Sequence, residues 1–246
     1  MIGALQTARE SEILRTLETI YPKGNKFTLI GGYAVNAYSP LPRYSVDCDM
    51  VVPKTELEAL GGVLKELGYA DNGPQWRDEL IGLETRKFVK VVGAESVSVD
   101  MLIDGVRCRQ TEAVWKEQEV RGSSKDLRVV GVNRAVLSKV TSRELLIAMK
   151  LHSGRGTDLR DVVMISESAD WGLVAKWTSR GVNDKVVAQL HRAVDEMTKP
   201  DVEGQLKAGF SSKKSEKRRI DAALNAIKGL SKKMPTGQGT VGPSAK

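Results

Sequence analysis

Two aspartates, Asp47 and Asp49, stand two residues apart inside an apolar run, Tyr44 to Val52 (YSVDCDMVV). The run reads as a strand, where residues i and i+2 share a face and lie about 7 Å apart. Both carboxylates then point one way, alternating with Val46, Cys48 and Met50. A packed apolar face is not built on two unpaired carboxylates. Like charges this close must be solvated, share a proton or hold a cation. Two hard metal ions in such a site sit about 3.5–4 Å apart and clamp an in-line phosphoryl displacement.

A third carboxylate fits the same scheme. Ser96 to Met101 (SVSVDM) places Val97, Val99 and Met101 on one strand face and Asp100 with Ser98 on the other. Laid beside the first strand, Asp100 completes a trio that can ligate metal and accept the proton of an attacking hydroxyl. Asp104 falls on the same alternation face, near the strand end before Gly105, and competes for that place.

Gly31-Gly32 supplies the other half of the candidate site. A short strand, Lys26 to Ile30 (KFTLI), runs straight into the two glycines, and a short helix, Tyr33 to Tyr38, follows until the Pro40 and Pro42 loop. A strand that turns into a helix through two glycines lets a phosphate approach the backbone, with N–H groups facing the anion. A double glycine alone, or a DxD alone, is a common feature of turns and surfaces. The series is far more specific: strand, double glycine, short helix, Arg43-Tyr44-Ser45, then DxD on a second strand.

The run Leu29 to Ala34 (LIGGYA), followed by Asp47-Cys48-Asp49, resembles the signature of the DNA polymerase β-like nucleotidyltransferase superfamily. Arg43-Tyr44-Ser45-Val46-Asp47 is similar to the R-x-S/T-x-D-x-D stretch of its AbiEii and MenT-type toxins. Those carry a later helical lysine and an R-x-x-D-x-x-D stretch, matched by Lys150 in AMKL and by Arg155, Asp158 and Asp161. The pieces span Leu29 to Asp161 and leave the C-terminal third unexplained. The resemblance implies that Gly31 and Gly32 hold a triphosphate, with Arg43 and Ser45 beside it. It implies that Asp47, Asp49 and Asp100 bind Mg²⁺ or Mn²⁺, Asp100 acting also as general base. Lys150 would contact phosphates, and Asp158 and Asp161 would line or brace the nucleotide pocket. Plainer readings stay open: Lys150 as a solvated lysine, Arg155, Asp158 and Asp161 as i,i+3 surface pairs, Arg43 as a partner of Asp47, and Ser45 as an ordinary edge-strand residue.

The remaining pattern predicts an α+β half followed by an all-helical half; the resemblance implies a nucleotidyltransferase fold, with a mixed sheet flanked by helices, then a C-terminal helical domain. Its expected divisions are 1–140, 141–230 and a flexible basic tail over 231–246. Ile13, Leu14, Leu17 and Ile20 mark an amphipathic helix over Thr7 to Ile20. Thr55 with Glu58 and Thr141 with Glu144 read as capping boxes, the first opening a helix that ends near Gly68. Strands are expected over Thr85 to Val92 and Ser96 to Ile103, with a further hairpin of Glu119 to Arg121 and Leu127 to Val132. Helices are expected over Ser142 to Ser153, Thr157 to Ser168, Trp171 to Ser179, Asn183 to Met197 and Ser215 to Leu230.

Composition narrows function from the other side. No apolar run approaches the ~20 residues of a membrane span, and the N-terminus gains polar residues too early for a signal peptide; a cytoplasmic protein with no membrane partner is expected. Cys48 and Cys108 read as small buried hydrophobes. With His152 and His191 alone, a histidine-rich metal site is excluded, and hard cations on oxygen ligands remain. His152 itself reads as a core or surface residue. The net charge of +7 is uneven: Gln205 to Lys246 carries ten Lys or Arg against two Asp or Glu, so the rest is near neutral. Such a segment suits a polyanion or serves as a solvated tail.

Three functions follow in order. The first transfers a nucleoside monophosphate from an NTP to an acceptor hydroxyl; the resemblance implies an RNA such as a tRNA 3′ end, and a toxin with a cognate antitoxin or a phage-defence protein, and the basic segment suits an RNA. The second modifies a small molecule or protein. The third is a non-catalytic nucleic-acid-binding module, disfavoured because aromatics are only 5% of the chain, too few for a stacking platform.

Overall fold

The computed structural model describes residues 4–24 and 26–234. Residues 235–246, most of the expected tail, lie outside the described residues.

A mixed seven-stranded sheet organises the first part of the chain. Its strands are β1 (Thr28–Leu29), β2 (Asp47–Val52), β3 (Ala70–Asp78), β4 (Leu83–Val92), β5 (Glu95–Ile103), β8 (Lys125–Val130) and β9 (Ala135–Val140). Their spatial order is β3-β4-β5-β2-β1-β9-β8, and β6 (Gly105–Arg107) pairs with β7 (Val114–Lys116) in a separate ribbon. β2 runs parallel to β5, and β1 parallel to β9; the other neighbours are antiparallel. This is the α+β, mixed-sheet architecture that the sequence predicts.

One sheet face packs on α1 (Ala4–Ile20) and α3 (Leu57–Glu66). Ile13, Leu14, Leu17 and Ile20 of α1 are fully buried against Cys48, Met50, Val99 and Met101 of the sheet cluster. The alternation read along β2 and β5 thus sends their apolar residues into this core and their acids to the other face. On that second face, a smaller cluster of Ile30, Val51, Trp115, Val120 and Leu145 packs near the acids. Both cysteines are free and buried.

The helices that follow are α5 (Arg143–Ser153), α6 (Gly156–Ile165), α7 (Trp171–Thr178), α8 (Asn183–Met197), α9 (Val202–Phe210) and α10 (Lys217–Lys233). Ile220, Ala223, Ile227 and Leu230 of α10 belong to the same continuous core as α1 and the sheet. The basic segment is therefore partly an amphipathic core helix, and it runs through Lys233, past the Ser231 start expected of the tail.

Several expectations shift. Glu117–Gly122 is a helix, α4, in place of a strand; only Val120 is an apolar anchor there, and Glu119 bonds back to the Lys116 N–H at 3.0 Å. The hairpin partner of β8 is β9. Thr55 makes no cap: Asp104 Oδ1 accepts from the Lys54 N–H at 2.8 Å and opens the turn before α3. At α5 the cap is Ser142, which accepts from Leu145 N, one residue beyond Thr141. β3 and α9 went unpredicted, β3 because Gly73 and Pro74 sit in it at register shifts on a sheet edge.

Candidate active site

β2 and β5 bring the acids together by register. Asp47 stands opposite Ser98, and Asp49 opposite Asp100; adjacent strands lie about 4.8 Å apart. Asp47, at the exposed start of β2, accepts a hydrogen bond from Ser98 Oγ at 2.6 Å. Asp100 Oδ1 is buried and has no hydrogen-bond partner among the described residues. Burial first, then the facing charge of Asp100, raise Asp49 to about 6, against the pull of Lys150. Burial also raises Asp100, and Lys87 opposes the rise. Asp104 is drawn off by its cap on Lys54 and stands apart from this pair. Its backbone is left-handed, at φ 60°.

Lys87 of β4 faces Asp100 across the next strand pair. Its Nζ lies 3.2 Å from Asp100 Oδ2 and 3.9 Å from Asp47 Oδ1. Sequence reading missed it, although a lysine at an alternate position of the strand before β5 was the available signal. Its ammonium takes up part of the negative charge of the trio. The carboxylates lie in a row along two strands, and no three acidic, imidazole or thiol groups close into a metal cage among the described residues. The donor chemistry still suits a hard divalent cation: the ligands are all oxygen, and a buried carboxylate oxygen is left without a donor.

The double glycine is required by packing. Gly31 has φ 65°, and a Cβ there would lie 2.0 Å from Asp49 Oδ2; a Cβ on Gly32 would lie 2.5 Å from Ser45 Oγ. Gly31 opens the short helix α2 (Gly31–Val35). Ser45 precedes the strand and bonds the Asp47 carbonyl at 3.2 Å, while Tyr33 donates to the Ser45 carbonyl at 3.0 Å. Glycine therefore brings the turn, the Asp49 carboxylate and the Arg43–Ser45 segment into contact.

Behind the acids sits a buried ion cluster. Lys150 Nζ reaches Asp158 Oδ1 at 2.6 Å and Asp161 Oδ2 at 2.8 Å. Arg43 Nη2 donates to Asp161 Oδ2 at 2.9 Å, with Nε 2.6 Å from Oδ1, so Arg43 pairs with Asp161 and not with Asp47. Arg155 Nε and Ser153 Oγ complete the shell of Asp158 at 2.6 and 2.7 Å. The i,i+3 pair of Arg155 with Asp158 exists, but Asp158 and Asp161 are buried, which removes the surface-pair reading. Burial alone would raise Asp158; Lys150, Arg155 and Ser153 outweigh it and hold it at about 2. Lys150 is buried and committed to two aspartates, so it is no solvated lysine. Arg155, 71% exposed at its side chain, adds positive charge that Asp49 also feels.

His152 faces away from this chemistry. Its Nε2–H donates to the Thr178 carbonyl at 3.1 Å, which leaves Nδ1 to accept from Thr111 Oγ1 at 2.6 Å. Burial lowers it to about 4. It is a satisfied core histidine.

Comparison with known proteins gives one kind of match, to solved structures. The fold is similar to that of JHP933 from Helicobacter pylori, with a TM-score of 0.55 and 13% identity over 95% of each chain. It is also similar to another solved structure from H. pylori, named as that of a candidate nucleotidyltransferase, with a TM-score of 0.53 and 13% identity. That match covers 94% of this chain and 97% of the other. No family model matches, and no curated protein matches by sequence. The class defined is the nucleotidyltransferase fold. Among the described residues, no helix is long and apolar enough to cross a membrane.

Proposed function

We propose that this chain transfers a nucleoside monophosphate from an NTP to an acceptor hydroxyl, using Mg²⁺ or Mn²⁺ held by Asp47, Asp49 and Asp100. The observation that carries the reading is the register of β2 on β5, which sets Asp49 against Asp100 and leaves Asp100 Oδ1 buried without a donor. A protein that only bound nucleic acid would gain nothing from that arrangement, because clustered buried acids repel phosphate. Bound there, a divalent cation would neutralise charge growing on the transferred phosphoryl group. Asp100 takes the acceptor proton as the acceptor oxygen bonds to the α-phosphorus. The bond from that phosphorus to the bridging oxygen of the pyrophosphate breaks, and pyrophosphate leaves with the electron pair. Gly31 and Gly32 admit the triphosphate beside Asp49. Lys150, Asp158, Asp161, Arg43 and Ser45 hold the wall behind it in place, and Arg155 offers the exposed cation.

An RNA acceptor is favoured by the charge of the C-terminal segment, whose basic residues lie, among the described residues, on the outer side of α10 and in the residues before it. The likeness of its motifs to AbiEii and MenT-type toxins extends this to a tRNA 3′ end and to a cognate antitoxin. Purified protein given each α-labelled NTP with Mg²⁺, total RNA and cell protein tests the reading. Label on RNA supports it. Label on protein or on a small molecule moves the acceptor to the second class, and no label with any NTP overturns the activity.

A further inference from the structure

A pocket of about 550 Å³ opens beside the ion cluster, between the loop carrying Gln110, the α5–α6 junction at Ser153 to Gly156, and the α8 residues Gln189 and Arg192. It shares Ser153 and Arg155 with the shell of Asp158, so it adjoins the ion cluster behind the acids. Its volume is that of a small-molecule site. Gln189 lines the pocket and is only 4% exposed, and no side-chain hydrogen bond holds it among the described residues. An amide on a pocket wall with no protein partner is open to pairing with a ligand or water. Gly154 makes room for it: with φ 60°, a Cβ there would lie 1.6 Å from Gln189 Nε2.

The geometry points to this pocket as the nucleobase subsite, with Gln189 reading the base edge; the inference rests on the nucleotidyl-transfer reading above. An amide presents a donor and an acceptor side by side, which is the pattern a base edge complements. The charges on the pocket rim, Arg155 and Arg192 against Asp195 and Glu196, cancel. A phosphate backbone would be met by an excess of cations, so the occupant is an uncharged polar ring. Arg155 lines the pocket and lies near enough to Asp49 for their charges to interact, which sets the ring beside the phosphate end of the same nucleotide.

Equilibrium binding of ATP, GTP, CTP, UTP and inorganic tripolyphosphate to the full chain with Mg²⁺ tests this, with Gln189→Leu and the near-isosteric Gln189→Glu as variants. The wild type is expected to rank the four NTPs over about tenfold or more, the discrimination one good base contact supplies. Gln189→Leu is expected to flatten the ranking and Gln189→Glu to reorder it, both leaving tripolyphosphate affinity and the melting temperature unchanged. On the wild type, the preferred NTP and not tripolyphosphate should shift the Gln189 side-chain amide resonances; this readout stands if a variant fails to fold. An unchanged ranking in a folded variant, or no amide shift, overturns the base contact while leaving nucleotide binding intact. Equal affinity for all four NTPs does the same. A wild type that binds neither NTP nor tripolyphosphate overturns both readings.

Discussion

At Gly31 the backbone and the chemistry meet in one residue. Alanine there must adopt a left-handed conformation, costing about 1–2 kcal/mol, and its Cβ would displace the Asp49 carboxylate. Gly31→Ala is expected to lower the melting temperature and to abolish transfer, whereas Gly24→Ala, also left-handed but with open space around it, should show only the stability loss. Lys87 acts in the opposite sense. Its ammonium competes for the carboxylates of Asp100 and Asp47, so Lys87→Met should tighten Mn²⁺ binding, on the order of tenfold by Coulomb attraction in a partly screened site. Weaker binding would show that Lys87 holds the acids in place. His152 has a folded value near 4 against about 6.5 unfolded. The unfolded chain takes the proton first, so the stability His152 contributes is full above pH 6.5 and is lost as pH falls toward 4. Its imidazole resonances should stay those of the neutral ring down to about pH 4, and titration near 6.5 would contradict its burial.

The elements explain why some of this was legible and some was not. Alternation along β2 and β5 named Asp47, Asp49 and Asp100 correctly by face, because period 2 is a local property of the strand. That β5 would lie parallel to β2 is set by the β3–β4 hairpin between them, which no local period encodes. Asp104 falls on the same alternation face as Asp100, and the left-handed turn past the end of β5 and the cap on Lys54 separate the two. Glu117–Gly122 misled because a six-residue helix with one apolar anchor has no readable period. Arg43 and Asp161, 118 positions apart, join the start of β2 to α6 through a buried pair. Leaving one member of such a cluster uncompensated is strongly destabilising. Asp161→Ala should therefore cost about 3–5 kcal/mol, measured by denaturant unfolding. A loss below about 1 kcal/mol would mean that the cluster is solvated.

For the molecule as a whole, the single core running from α1 through the sheet to α10 governs what can be cut away. Ile220, Ile227 and Leu230 are buried there, each worth about 1.5–3 kcal/mol, against a total stability of about 5–15 kcal/mol. Deleting Gln205 to Lys246 should thus unfold the helical part, and it cannot report on RNA binding alone. Replacing Lys213, Lys214, Lys217 and Arg218 by Gln keeps the core face intact. The four changes should weaken RNA binding and flatten its salt dependence without moving the melting temperature. Unchanged binding would assign the charge to solubility. The central claim is that Asp49 and Asp100 form one catalytic pair, and the direct measurement compares nucleotidyl transfer by wild type, Asp49→Asn and Asp100→Asn under one set of conditions. Both variants should melt cooperatively like the wild type and lose at least about a hundredfold in rate, the scale at which one positioned acid–base group contributes. Transfer at the wild-type rate by either folded variant would contradict the account.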